Sequence, residues 1–288
     1  MQARRFGIWT SQSKPWSETL AEWRTVERLG YDAAGIVDHF MPTAGDEDGW
    51  FHEGWTMLAG LAASVPRLRL AILVSGNTYR NPVLLAKEAV TIDHISGGRV
   101  DLGIGAGWYR REHDAFGWEL PPPGVRVDML EEALQIIDSL FTENRTTFDG
   151  QHYQLHDAPF QPKPLQDRLP IMIGGRQRRM MGLIAKYADI WSIDNNPDEM
   201  RQSTKWLEEG CERIGRDPAE IRRSGFVVTR RVGRDPWESI DTFQSIVDDY
   251  IDAGADEIYF RFPNDDQRPV LEEAATRLPE LREAFTHR

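Results

Sequence analysis

Eight short apolar, β-branched runs alternate with amphipathic helical patterns along the 288 residues of this chain. No other feature limits the fold as strongly. An extended apolar run followed by a pattern of helical period is a βα unit, and successive units build a parallel sheet. The runs are RFGIWT (5–10), AAGIVDHF (33–40), LRLAILVSG (68–76), RVDLGIGAG (99–107), PIMIGG (170–175), DIWSID (189–194), SGFVVTRRV (224–232) and DEIYFRFP (256–263). Eight such units close a (β/α)8 TIM barrel, which removes every sheet edge. A doubly wound open sheet is the alternative. No change of composition marks a linker, so residues 1–288 read as one domain.

Local signals bound several helices. Ser17 is the expected N-cap of the first helix, whose apolar positions are Leu20, Trp23 and Val26, with Gly30 past its end. Before the fourth run, Asn81 caps, Pro82 fills the first helical position and Gly97 ends the helix. After that run no clear helical pattern begins at once. PPPG (121–124) breaks the chain, and VRVDMLEEALQIIDSLF forms an amphipathic helix. Residues 142–169 then carry turn signals without helical period. They read as a long insertion between the fourth and fifth strands, in the form of a hairpin, of the kind that is usually functional or covers something.

Charge and motif content exclude several function classes. A formal net charge of −12 argues against a general nucleic-acid or anionic-membrane binder. An anionic ligand must therefore be held by a local group of donors. The single cysteine, Cys211, excludes a disulfide framework and reads as a packing or surface residue of a helix. No apolar run reaches membrane-spanning length, and a cytoplasmic protein is expected. The chain has no H-E-x-x-H, no G-x-S-x-G and no G-x-x-x-x-G-K-[ST]. His52, His94, His113, His152 and His156 are isolated and read as structural or solvent-facing.

In a barrel of this kind, chemistry sits where strands run out into their following loops. That rule selects Thr10, Asp38, His39, Val74 to Asn77, Gly105 to Trp108, Gly174 to Arg176, Ser192 to Asp194, and Arg261 with Phe262. Within it, G-x-G-x-G at Gly103, Gly105 and Gly107 fits a dinucleotide fingerprint poorly. Glycine here lets a flat ligand lie against backbone, or satisfies barrel packing. Both readings stay open for Gly103; the ligand is favoured for Gly105 and Gly107, with Ala106 between them and Trp108 as a stacking wall. Gly174 and Gly175 precede a helix that starts near Gln177, a setting suited to phosphate. Arg176, Arg178 and Arg179 add charge there. Asp38 and His39 leave the second strand side by side. A histidine at that place can transfer a proton near neutral pH, with Asp38 orienting it or bonding a ligand. Trp50, Phe51 and Trp55 follow, as pocket lining for a planar or apolar substrate or as core.

These residues resemble the luciferase-like flavin- and deazaflavin-dependent oxidoreductases. The resemblance runs from about residue 5 to 260. It is carried by VDHF, NPVLLAKEAVTIDHISGGRVDLGIGAGW with Glu112 and Gly117 following, FDGQHYQLHDAPFQPKPLQDRLPIMIGG, and IAKYADIWS, in that order. The resemblance implies a (β/α)8 barrel with a tricyclic cofactor at its mouth. The ring would lie near His39, Val74, Ser75 and Trp108, with Asp38, Asn77, Gly105, Ala106 and Gly107 around it. The phosphate would rest on Gly174, Gly175, Arg176 and Arg179. It also implies a bulged third strand at Leu73–Val74–Ser75, often with a cis non-proline bond.

Asp38–His39 is similar to the pattern of branches that use the deazaflavin F420, so the expected activity is hydride transfer to or from a small organic substrate, with His39 catalytic. The alternatives are an FMN-dependent monooxygenase served by a separate reductase, and a non-catalytic flavin- or deazaflavin-binding protein. Relatives are commonly homodimers. One departure stands out. Trp108 occupies the place where the family's sugar-phosphate dehydrogenases carry a glutamate, which counts against that reaction, and Glu112 lies a helical turn later.

Overall fold

A strand with one face on helices and the other inside a barrel must alternate its contacts residue by residue. The computed structural model, which describes residues 3–194 and 196–283, follows that rule around a closed ring. The ring strands are β1 (Arg5–Trp9), β2 (Ala33–Ile36), β3 (Arg69–Ile72) continued by β4 (Ser75–Gly76), and β5 (Val100–Gly105). An antiparallel hairpin, β6 (Arg145–Asp149) with β7 (Gln154–Pro159), stands apart from the ring. The remaining ring strands are β8 (Ile171–Gly174), β9 (Ile190–Ile193), β10 (Arg222–Phe226) and β11 (Glu257–Arg261). All pairings in the ring are parallel, in the order β3–β2–β1–β11–β10–β9–β8–β5–β4, and β3 also pairs with β5 to close it. The eight-unit TIM barrel and its hairpin insertion are both present.

Helices cover the outside: α1 (Trp16–Arg28), α2 (Gly54–Ser64), α3 (Pro82–Ser96), α4 (Arg110–Phe116), α5 (Pro123–Thr142), α6 (Arg178–Tyr187), α7 (Pro197–Ile214), α8 (Thr229–Val232), α9 (Ile240–Asp252) and α10 (Arg268–Glu283). Residues Phe6, Ile8, Leu70, Ile72, Leu102, Ile104, Ile171, Ile173, Ile258 and Phe260 point outward into the helix layer and are buried. Their neighbours Ala33, Ala71, Met172, Ile190 and Tyr259 fill the barrel, with Trp9, Leu73, Val74 and Phe226 packed above them. At the opposite end, ion pairs join Arg5 to Asp101 (3.9 Å) and Glu257 (3.7 Å), and Arg69 to Asp101.

Local signals hold at α3, where Asn81 accepts from Val83 N–H at 2.9 Å and Gly97 is left-handed at φ 70°. Three expectations are corrected. Ser17 lies inside α1, and Pro15 is the residue before the helix, because the fixed φ of proline starts it two residues earlier. The run at 224–232 is strand only to Phe226; Thr229–Val232 turn into α8. A short helix, α4, begins three residues after Gly107. Its two buried side chains are Glu112 and His113, so it carries no apolar stripe from which period could be read.

Candidate active site

The site is organised by what happens between β3 and β4. The peptide bond between Leu73 and Val74 is cis, at the place expected for the bulge. Behind the bulge Ser75 is buried, and Trp55 Nε1 donates to its Oγ at 2.8 Å. Trp55 is therefore core, while Trp50 stays exposed. Val74 turns to the inside. A Cβ added at Gly103 would lie 1.8 Å from the Ile72 carbonyl oxygen, and one at Gly174 would lie 2.5 Å from Val74 Cγ2. One at Gly105 would sit 3.1 Å from the same methyl. What approaches these glycines so closely is the bulged strand itself. Gly107 has φ +80°, a conformation that L side chains rarely adopt, and a Cβ there would meet Thr78 Oγ1 at 2.4 Å. The half-buried surface that remains above is formed by Val74, Ala106 and Gly107, with exposed Trp108 beside it.

His39 stands at the edge of this surface, its side chain 12% exposed. Its Nδ1 lies 2.9 Å from Glu112 Oε2. Tyr79 Oη donates to the same carboxylate oxygen, and the N–H groups of Phe40 and Met41 donate to Oε1. Burial alone would raise the Glu112 carboxyl, but hydrogen bonds from His39, Tyr79 and Phe40 outweigh it and hold the group below its ordinary value. An ionised Glu112 that accepts from Nδ1–H fixes the histidine tautomer and leaves Nε2 for the mouth. Burial and the Glu112 carboxylate together push the Tyr79 hydroxyl well above its ordinary value, so it stays a donor. Trp108 and Tyr109 meet the His39 ring edge-on, with centroids at 5.8 and 5.6 Å. His113, expected to be structural or solvent-facing, is structural: it stacks on Tyr79 at 4.9 Å, while its nitrogens bond Tyr109 O and Thr78 Oγ1, each at 2.8 Å.

Asp38 does not orient His39. It is buried and ion-paired to Arg80, which also reaches Glu53 and, at 3.2 Å, Glu88. The two neighbours point to opposite sides of an extended chain, and it is His39 that takes the mouth. Burial raises the Asp38 carboxyl more than Arg80 lowers it.

Asn77 is also buried. Its N–H donates to Gly105 O at 2.8 Å and its Nδ2 to Tyr153 Oη at 3.1 Å, while Oδ1 has no partner among the described residues. Tyr153 belongs to the insertion. That segment is clamped to α5 by Glu132, which accepts from the N–H groups of Gln151, His152 and Tyr153 at 2.8, 2.8 and 3.0 Å.

On the far side of the mouth, Gly174, Gly175 and Arg176 are half-buried at the end of β8, just before α6. Arg176 lies 3.6 Å from Asp194. Arg179 is not brought to this group. Its guanidinium turns to α5, where it donates to Gly124 O at 3.0 Å and pairs with Asp128. Arg178 pairs with Glu209 at 3.0 Å. Arg176 precedes α6, on the loop that leaves β8, whereas Arg179 lies in the first turn of the helix on the side facing α5, so the two side chains meet different neighbours. Among the described residues no group of His, Cys, Asp and Glu is arranged to hold a metal, and no helix is long and apolar enough to cross a membrane.

Glu112 is the residue of this candidate site to which the sequence motifs gave no role. Its signal was present only as an acidic residue five positions before Gly117, with no periodicity to mark it as buried.

Comparison with known proteins agrees with this architecture. A 183-residue stretch is 32% identical to an uncharacterized protein of Mycobacterium tuberculosis (strain ATCC 25618 / H37Rv), covering 61% of this chain and 64% of the relative. A 216-residue stretch is 30% identical to the phthiodiolone/phenolphthiodiolone dimycocerosates ketoreductase of Mycobacterium bovis (strain BCG / Pasteur 1173P2), covering 72% and 55%. The pyrimidine monooxygenase of Allorhizobium ampelinum is 30% identical over 200 residues, covering 66% and 54%. The chain thus spans between 54% and 64% of the length of these curated relatives. Among solved structures, an F420-dependent secondary alcohol dehydrogenase in complex with an F420–acetone adduct superposes with a TM-score of 0.85 at 18% identity, covering 98% of this chain and all of that one. The F420-dependent tetrahydromethanopterin reductase of Methanopyrus kandleri gives 0.82 at 16%, covering 97% and 100%. The family described as luciferase-like monooxygenase matches residues 2–283, and the chain belongs to that family of F420- and flavin-dependent oxidoreductases.

Proposed function

We propose that this protein is an F420-dependent oxidoreductase that moves a hydride between the deazaflavin and a small organic substrate. The observation that carries the reading is His39, fixed by buried Glu112 at 2.9 Å, beside the surface made by the Leu73–Val74 bulge. The mouth also fits a polar planar ring. Asn77 Oδ1 is a buried acceptor without a partner among the described residues, and a ring N–H would satisfy it. Val74, Ala106, Gly107 and Trp108 would hold the ring, and Gly174, Gly175 and Arg176 would hold its phosphate. Asp38 and Ser75 support this surface from behind, and Arg179 supports α6.

When bound, the deazaflavin supplies hydride transfer at carbon with little reactivity toward oxygen. The chain supplies position and proton control. His39 Nε2 faces the substrate and donates or accepts the balancing proton, while Glu112 holds Nδ1–H in place. Trp108 and the Tyr153 segment keep water from the ring.

The pyrimidine monooxygenase relative, at 30% identity, supports a second reading as a monooxygenase, for which the family resemblance implies FMN at the same mouth. Titration of the purified protein with F420 and with FMN separates the two. Tight F420 and weak FMN binding, with hydride transfer to an acceptor panel, is the expected result. Preference for FMN would replace the proposal with the monooxygenase, and F420 binding without turnover on any acceptor would leave a binding protein.

A further inference from the structure

The proposed cofactor site uses the half of the rim made by β2, β3, β4, β5 and β8. The other half, β9, β10, β11 and β1, presents side chains of a different kind. Trp9 ends β1 and pairs in register with Arg261, the last residue of β11. Tyr259, two residues earlier on β11, points into the barrel, so Arg261 points inward one layer higher, at the mouth. Phe226 ends β10 on the other side of Arg261. The rings of Trp9 and Phe226 lie 5.1 Å apart with 31° between their planes, and both are half-buried. They pack down onto the barrel-filling residues and leave an aromatic floor facing upward. The Arg261 guanidinium carbon stands 5.9 Å from the centre of the Trp9 ring.

Charge distinguishes Arg261 from its neighbours. Arg176 and Arg231 on the same rim are matched by Asp194, at 3.6 and 3.3 Å. Arg261 is exposed and forms no ion pair among the described residues. In a chain of net charge −12 the overall field repels anions, so one that enters must be drawn by a local cation. A guanidinium presents a planar fork that accepts a carboxylate through two parallel N–H···O bonds. An aromatic floor takes a flat ring by offset or tilted stacking. The two together recognise a flat body carrying a carboxylate at its edge.

We infer that the Trp9–Phe226–Arg261 half of the mouth is the substrate's seat, and that the substrate is a planar aromatic or conjugated carboxylate. The ring lies on Trp9 and Phe226, and the carboxylate pairs with Arg261. This rests on the assignment of the other half to the cofactor. β1 neighbours β2 in the ring, so a body on Trp9 lies on the side of the mouth where the chain leaves β2 toward His39. Arg261 is then the residue that sets specificity, while His39 performs the proton transfer.

The test uses the full-length protein and two flat probes of nearly equal shape, 1-naphthoate and the neutral 1-naphthamide, measured by calorimetry with and without F420. The expected result is at least about tenfold tighter binding of the naphthoate, as a charge-assisted pair requires. Arg261→Gln removes the preference and leaves naphthamide and F420 binding as in the wild type, and Arg261→Lys restores part of it. Equal binding of the two probes to the wild type, or a preference that survives Arg261→Gln, overturns the inference even if F420 binds. Failure of both F420 and FMN to bind, with the preference intact, overturns the cofactor assignment instead.

Discussion

Glu112 and His39 meet at 2.9 Å although 73 positions separate them, and the carboxylate that joins them is fully buried. The same side chain also takes the N–H groups of Phe40 and Met41 and the hydroxyl of Tyr79. It therefore sets both the path of the chain after β2 and the tautomer of the histidine. His39→Ala is expected to lower turnover about 10²- to 10⁴-fold, the usual contribution of a positioned proton-transfer group, with little change in cofactor affinity. Glu112→Gln should lower turnover and alter its pH profile while the fold survives. Glu112→Ala should in addition destabilise the fold by about 1–3 kcal/mol for each buried donor it leaves unpaired. Steady-state kinetics across pH and thermal unfolding measure these effects. An unchanged pH profile in Glu112→Gln would remove it from the control of His39.

The glycines of the barrel mouth differ in what they face. A methyl group at Gly103 meets a backbone carbonyl at 1.8 Å, which cannot swing aside. Gly103→Ala is expected to destabilise by about 3 kcal/mol or more. Gly182, inside α6, meets nothing within 4 Å. Gly182→Ala should stabilise by about 0.4–1 kcal/mol through the unfolded chain and the helix. Urea unfolding of the two variants checks the contrast, and equal effects would discount the close approach of the bulge.

Three carboxylates share one guanidinium at Arg80; Asp38 and Glu88 are both held above their ordinary values, Glu88 at about 7. Burial is the main cause, with Glu53 and Asp38 adding to it and Arg80 opposing it. The folded state therefore holds a proton on Glu88 that the unfolded chain, near the ordinary value of 4.5, releases earlier. Its contribution to stability is fully present below pH 4.5 and is lost as the pH rises through about 7. Glu88→Gln should raise the melting temperature at pH 8 relative to wild type and flatten the dependence between pH 4.5 and 7. A melting temperature lowered equally at every pH would contradict this.

Arg176 and Arg179 lie three positions apart but face different partners. Arg176→Ala should weaken cofactor binding about tenfold, the scale of one charge-assisted contact to phosphate, without changing the melting temperature. Arg179→Ala should do the reverse, because it loosens the link from α6 to Gly124 and Asp128 on α5. Titration and thermal unfolding of both variants separate the roles. Equal loss of cofactor affinity in the two would return Arg179 to the phosphate site.

Periodicity is local, and it was enough to specify the barrel. Strand and helix residues declare themselves through neighbours two, three or four positions away, so the eight units, the hairpin insertion and the caps at Asn81 and Gly97 could be read from the chain alone. The place of the bulge at Leu73–Val74 followed from family resemblance, whereas His39 was selected by its position at the end of the second strand. Tertiary structure decided what those signals cannot carry. Which way Asp38 and His39 point depends on Arg80 and Glu112, and each comes from another unit of the barrel. α4 went unseen because the side chains it buries are a glutamate and a histidine, which leave no apolar stripe. A buried polar group is held by partners distant in sequence, and the Arg261 seat likewise exists only because ring closure sets β11 between β1 and β10.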